Sequence, residues 1–258
     1  MKIGAYQFSV TNTIPLNMKH IQKAILQAAK QNVKLLVFPE CALTGYPPRD
    51  IDSPASVNFS QLAAAYDNLQ EIAGNTGISL ILGTILKDKD EEQFYNTAIV
   101  FLHNRKRYFY YKKALWGWDK DNFSFKNSTG IFHIDNWRIG MRICFEVRFP
   151  EFFRELYREH TDLNIILFYD VSSHEDTERY EIIKSHILTR AVENTTYTLS
   201  VNTSGPFQTA PTLLCDRSGH ILCELVKNQD NLLVYEIEKT PYTFGEQGRK
   251  YISDSLLS

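Results

Sequence analysis

Arg142-Ile143-Cys144-Phe145-Glu146-Val147-Arg148-Phe149-Pro150-Glu151 is the stretch on which the reading of this chain turns. The apolar-rich residues Trp137 to Ile143 read as a buried strand, and the charged residues after the cysteine read as a turn that opens a helix at Pro150. A cysteine at such a junction stands at the end of a sheet with its sulfur facing a cleft. The first amides of the next helix then lie nearby as donors to an oxyanion. Alone the cysteine establishes little, because the groups that turn a thiol into a catalyst must come from elsewhere in the chain.

Outward from that junction, strand and helix patterns alternate. Toward the N-terminus they give strands at Lys2 to Val10, Val33 to Phe38, Ile78 to Ile85, Asn96 to His103 and Arg107 to Lys112. Helices are expected over Asn17 to Gln31 and about Asn58 to Gly74, with Pro39 to Pro54 a proline-rich loop and Trp116 to Gly130 loop-like. Beyond Cys144 follow a helix (Pro150 to Glu159), a strand (Leu163 to Tyr169), a helix (Asp176 to Glu193) and a strand (Thr196 to Asn202). Short strands come near Thr212 to Cys215, His220 to Glu224 and Leu232 to Ile237. This pattern predicts an α/β protein with one domain over 1–258, its sheets buried on both faces under helices. Residues 240–258 carry few helix or strand signals and are expected to form a C-terminal extension that packs on a neighbouring subunit.

Composition narrows the class. With 258 residues and 43% hydrophobic content the chain can bury one large core or two modest ones. A net charge of −2 gives no electrostatic reason to expect a nucleic acid or a membrane surface as partner. The four cysteines (Cys41, Cys144, Cys215, Cys223) have no paired spacing and no CxxC, and the histidines lack ligand spacing. Free thiols in a reducing compartment are expected, with no metal site and no disulfide framework. Met1 to Phe8 begins directly as a strand and no apolar run is long enough to span a bilayer, so a cytoplasmic protein is expected.

Two further strand ends carry chemistry. In Phe38-Pro39-Glu40-Cys41, a carboxylate straight after a buried strand is partly desolvated, which suits it to proton transfer; the competing reading is an exposed loop acid. In Tyr110-Tyr111-Lys112-Lys113-Ala114-Leu115, a lysine pair ends an aromatic strand. A thiol needs a base to take its proton and a cation to stabilise the thiolate and a later oxyanion. Glu40, Lys112 and Cys144 supply those three functions.

With those motifs in this order, the chain resembles the nitrilase (carbon–nitrogen hydrolase) superfamily, in its amidase-like branch. The resemblance rests on Phe38-Pro39-Glu40, on Tyr110, Lys112 and Leu115 as a YxKxxL motif, and on Cys144 to Glu151. Arg190-Ala191-Val192-Glu193-Asn194 and Asn202 with Gly205 also match. It implies a four-layer αββα sandwich and hydrolysis of a non-peptide C–N bond in a small-molecule amide, without metal or organic cofactor. Cys144 would be the nucleophile, Glu40 the base and Lys112 the oxyanion stabiliser, helped by the backbone N–H of Phe145. Lys112 is preferred to Lys113 on strand alternation and motif spacing. Many relatives carry a second glutamate between lysine and cysteine, and Asp121 is assigned that position here. Tyr169, after the next strand, is assigned to the substrate pocket. The resemblance also implies a homodimer or higher homo-oligomer.

Nitrile or N-carbamoyl hydrolysis stands as the alternative activity, and a catalytically retired scaffold for protein interaction as the alternative class. Cys41 reads as a small residue packed under its loop, and Cys215 and Cys223 as core. Arg190 and Glu193 read as a structural ion pair. Arg148 either braces the cysteine loop or reaches a substrate carboxylate.

Overall fold

The structure, a computed structural model, describes residues 1–88 and 93–257. In the first part of the chain come β1 (Lys2–Gln7), α1 (Ile14–Ala29), β2 (Leu35–Val37), α2 (Phe59–Thr76), β3 (Ser79–Lys87), β4 (Phe94–Phe101), β5 (Arg107–Tyr111) and the short α3 (Trp118–Asn122). Then follow β6 (Ile131–Ile134), β7 (Trp137–Ile143), α4 (Pro150–Arg158), β8 (Leu163–Leu167) and α5 (Thr177–Asn194). The chain closes with β9 (Tyr197–Val201), β10 (Leu213–Cys215), β11 (Ile221–Glu224), β12 (Asn231–Glu236) and α6 (Phe244–Leu257).

Local chemistry sets the helices. In α1 the apolar residues Ile21, Ala24, Ile25 and Ala28 recur at helical spacing and are all buried. The Asn58 side chain caps α2 by accepting from the Gln61 amide, and Asp176 caps α5 in the same way through the Arg179 amide.

The strands form two six-stranded sheets, ordered β12-β1-β2-β3-β4-β5 and β11-β10-β9-β8-β7-β6. Each has a parallel centre (β1-β2-β3 and β7-β8-β9) flanked by antiparallel strands. Side-chain alternation builds the layers. Leu35 and Val37 of β2 turn toward the second sheet, where they share a core with Ile139, Met141 and Ile165. Leu36 between them turns outward to α1 and α2. On the far side Phe153 and Leu156 of α4 and Ile183 and Ile187 of α5 pack on Ile166 and Leu213. The result is the four-layer αββα sandwich.

Three segments differ from expectation. Trp116 to Gly130 contains α3, a single short helix inside what reads as loop. β6 is four residues long, too short for its alternation to register, yet Phe132 and Ile134 are buried. Residues 240–258 are not irregular: α6 docks on its own chain. Arg154 donates to Ser253 Oγ at 3.0 Å, Tyr157 to Asp254 Oδ1 at 2.6 Å, and Arg217 pairs with Glu246 at 3.2 Å. The inward face of α6 is polar (Glu246, Ser253) while Phe244, Tyr251 and Leu256 are exposed, so its hydrophobic pattern gives no usable signal. No helix among the described residues is long and apolar enough to cross a membrane.

Candidate active site

Glu40 is held where β2 runs out. Its amide donates to Phe168 O at 3.2 Å, tying the loop to the end of β8 in the other sheet. The loop also presses against β3: the Gly83 amide donates to Pro39 O at 3.0 Å, and Leu43 donates back to Gly83 O at 3.2 Å. A Cβ on Gly83 would lie 2.3 Å from the Cys41 amide nitrogen and 2.4 Å from Glu40 Cα, so this approach requires glycine. The Glu40 side chain is fully buried. Its Oε1 accepts from Asn96 Nδ2 at 2.6 Å and its Oε2 from the Tyr169 amide at 2.9 Å. The exposed-loop reading of Glu40 is therefore excluded.

Lys112 follows β5 and is anchored by its amide to Asn96 O at 2.9 Å. Its Nζ lies 2.7 Å from Glu40 Oε1 and 2.6 Å from Asp119 Oδ2. Lys113 points the other way and pairs with Glu155 at 3.0 Å. Asp119, not Asp121, is the second carboxylate, and Tyr46 Oη donates to its Oδ1 at 2.8 Å. Asp121 is exposed. The correction has a simple cause: two positions along a helix is about 200° of rotation, so Asp119 facing the lysine turns Asp121 to solvent.

Cys144 stands directly after β7 with φ 48°, a left-handed backbone that a non-glycine residue adopts only when its surroundings hold it. It opens a 3-10 turn, Cys144–Arg148. Arg190 of α5 braces that turn by donating from Nε to Val147 O at 2.9 Å while pairing with Glu193 at 2.7 Å. Arg148 does not brace it. Among the described residues the Arg148 side chain makes no hydrogen bond or ion pair; its guanidinium lies 5.8 Å from the Phe145 ring.

The sulfur-bearing turn and the ammonium open onto one cleft of about 870 Å³, lined among others by Lys112, Asp119, Cys144, Phe145, Arg148 and Tyr169. Trp116 and Trp118 stand exposed at its mouth. Tyr169 is thus in the cleft wall, and its ring stacks on Tyr46 with centroids 4.9 Å apart. Its contribution to Glu40 through the backbone is not readable from sequence.

Burial pushes the Glu40 carboxyl above the ordinary carboxylate range; Lys112 opposes this and Asp119 adds to it. For Lys112 burial works to lower the pKa, but Asp119 and Glu40 outweigh it and hold the ammonium well above the usual lysine value. Burial, then Glu40, push the Cys144 thiol well up, with Lys112 opposing. Burial thus favours the thiol over the thiolate at Cys144 and raises the basicity of Glu40, while its two carboxyl partners hold Lys112 as a cation. Such a set can move a proton from sulfur to carboxylate and stabilise negative charge on a bound oxygen. Among the described residues no group of three or more His, Cys, Asp or Glu side chains could hold a metal ion.

Asp119, Asn96, Gly83 and Tyr46 are the site residues that sequence reasoning missed. Tyr46 closes the stretch that begins at Phe38 but carries no signal of its own there, and the other three lie outside the strand-end motifs, so only the folded contacts single them out.

A family model described as carbon–nitrogen hydrolase matches residues 2–241. The chain is 25% identical over 231 residues to 2-oxoglutaramate amidase of Bacillus subtilis, covering 86% of this chain and 85% of that protein. It is 26% identical over 199 residues to a nitrilase of Pyrococcus abyssi, covering 73% and 69%. An amidase from Nesterenkonia sp. AN1, solved as a mutant in complex with butyramide, shares the fold with a TM-score of 0.80 at 24% identity, covering 92% of this chain and 90% of that one.

Proposed function

The chain belongs to the carbon–nitrogen hydrolase family, and on that premise we propose that it is a cysteine-dependent amidase acting on a small molecule. The observation that carries this is the Lys112 ammonium bridging Glu40 and Asp119 in the cleft that Cys144 lines. Cys144 Sγ attacks the amide carbonyl while Glu40 takes the thiol proton. The carbonyl π-electrons move to oxygen, where Lys112 Nζ and the Phe145 amide, at the start of the 3-10 turn, donate to the oxyanion. Protonated Glu40 then gives its proton to the departing nitrogen, so ammonia leaves and a thioester remains. Water, deprotonated by Glu40, attacks the thioester, and the returned proton restores the thiol as the carboxylic acid leaves.

Asp119 has a defined part in that cycle. When Glu40 becomes neutral by accepting the thiol proton, Asp119 still neutralises and orients Lys112, so the ammonium is kept for the developing oxyanion. Arg148, with no carboxylate partner among the described residues, supports a substrate whose far end is anionic.

An ammonia-release screen over small amides, nitriles and carbamoyl compounds, with and without a distal carboxylate, tests the reading. Amide hydrolysis that depends on Cys144 supports it. Turnover confined to nitriles or carbamoyl compounds replaces it with the neighbouring activity, and no turnover of any class favours a retired scaffold. Within an active series, Arg148→Ala is expected to raise KM for carboxylate-bearing amides about tenfold or more and to leave neutral ones unchanged.

A further inference from the structure

Glu146 lies two residues past Cys144, is fully buried, and takes no part in the steps above. Its carboxylate ties together two segments that are far apart in sequence. Oε2 accepts the amide of Ile143, the residue before Cys144, at 2.7 Å. Oε1 accepts the Tyr110 hydroxyl at 2.8 Å, the Lys113 amide at 2.6 Å and the Ala114 amide at 3.4 Å. Those three groups flank Lys112 on either side. One planar group therefore spans the cysteine turn of one sheet and the lysine-bearing strand end of the other.

The strut is fixed at both ends. Tyr110 is fully buried, with the Arg142 guanidinium 5.2 Å from its ring centroid on one side. Gly130 closes in elsewhere: a Cβ there would sit 2.6 Å from Tyr110 Cδ2. At the other end Cys144 is in the left-handed backbone region at φ 48°, which needs its neighbours to hold it. Glu146 holds the residue before it and Arg190 holds the Val147 carbonyl after it.

We infer that Glu146 is a positioning residue that sets the separation between the Cys144 sulfur and the Lys112 ammonium. The inference rests on the proposed roles of those two side chains. Glutamine in its place has one acceptor end and one donor end, so in either orientation an NH2 group faces donors and one segment is displaced. A displacement on the order of 1 Å between reacting groups lowers turnover about 100-fold.

The test compares Glu146→Gln in two backgrounds, wild type and Lys112→Ala, with two readouts. One is kcat and KM for an amide found by the screen. The other is the pH midpoint for alkylation of Cys144 by iodoacetamide, read by intact-protein mass spectrometry and peptide mapping. In the wild-type background Glu146→Gln is expected to lower kcat about 100-fold with KM within about threefold, and to move the alkylation midpoint upward as the ammonium no longer faces the thiolate. In the Lys112→Ala background it should leave the midpoint unmoved, because the partner it positions is gone.

Equal shifts in both backgrounds overturn the inference, as does a fall in kcat that only follows the folded fraction seen by circular dichroism. If Glu146→Gln does not fold, Tyr110→Phe removes one donor from the strut, with a several-fold fall in kcat expected and the same dependence on background; an unchanged kcat there also overturns it. Wild-type Cys144 that labels no faster than the other three thiols defeats the amidase reading itself. Preferential labelling of Cys144 with an unmoved midpoint in Glu146→Gln defeats the positioning role alone.

Discussion

Two cysteines of this chain occupy nearly matching places with different consequences. Cys41 follows β2 in the parallel centre of one sheet, and Cys144 follows β7 in the parallel centre of the other. Both have left-handed backbones, at φ 51° and φ 48°, and burial pushes both thiols well above their ordinary value. Cys41, however, is fully buried, with its sulfur 3.9 Å from Asn96 Oδ1, while Cys144 is partly exposed and lines the cleft. Backbone geometry and acidity do not separate them. Access does, together with which neighbour turns inward: at Cys41 the preceding Glu40 takes the site position, and at Cys144 the sulfur does.

The strongest attempt to break this comparison exchanges the nucleophile. Cys144→Ala is expected to lower amide turnover by at least about 10⁴-fold with the fold retained. A Cys144→Ala protein that still turns over, beside an inactive Cys41→Ala, would reverse the assignment.

Glu40→Gln comes next, with a loss of about 10²–10⁴-fold as the proton acceptor disappears. Its pH signature has a definite sign. The carboxylate form acts as base, and burial raises the pKa of Glu40. The wild-type kcat/KM should therefore fall on acidification while the pH is still above the ordinary carboxylate range. An acid limb at or below that range would count against Glu40 as the base.

A smaller effect sharpens the choice between two acids. Asp119→Asn should lower kcat about tenfold to 100-fold by leaving Lys112 with one carboxylate, whereas Asp121→Asn, at an exposed position, should leave kcat within about twofold. Equal effects from the two variants would remove Asp119 from the site. The smallest change expected is at Cys41. Cys41→Ala should keep kcat near wild type and lower stability by about 1 kcal/mol, read from a urea midpoint, for the vacated volume.

How much of this was legible follows from the range of each signal. The strand ahead of Cys144, Trp137 to Ile143, is legible with its observed limits because its apolar run and the charged turn after it are both local. Strand alternation and the spacing from Tyr110 and to Leu115 separate Lys112 from Lys113, and the two side chains do point to opposite sides. α6 carries no legible signal because the face it buries is polar, and β6 carries none because four residues hold too little period. Cys215 is buried as read, but Cys223 on edge strand β11 is only partly so, since an edge strand has one uncovered side.

The sequence by itself determined the family motifs, the layered α/β architecture and the three strand ends bearing Glu40, Lys112 and Cys144. Periodicity and turn chemistry are written in consecutive residues, and strands that run in the same direction end at one edge of a sheet. Tertiary structure alone decided that Asp119 faces the lysine, that Gly83 admits the Glu40 loop, and that Glu146 joins the cysteine turn to the lysine strand. Each of those depends on where two segments distant in sequence meet, and on which way one side chain turns when they do.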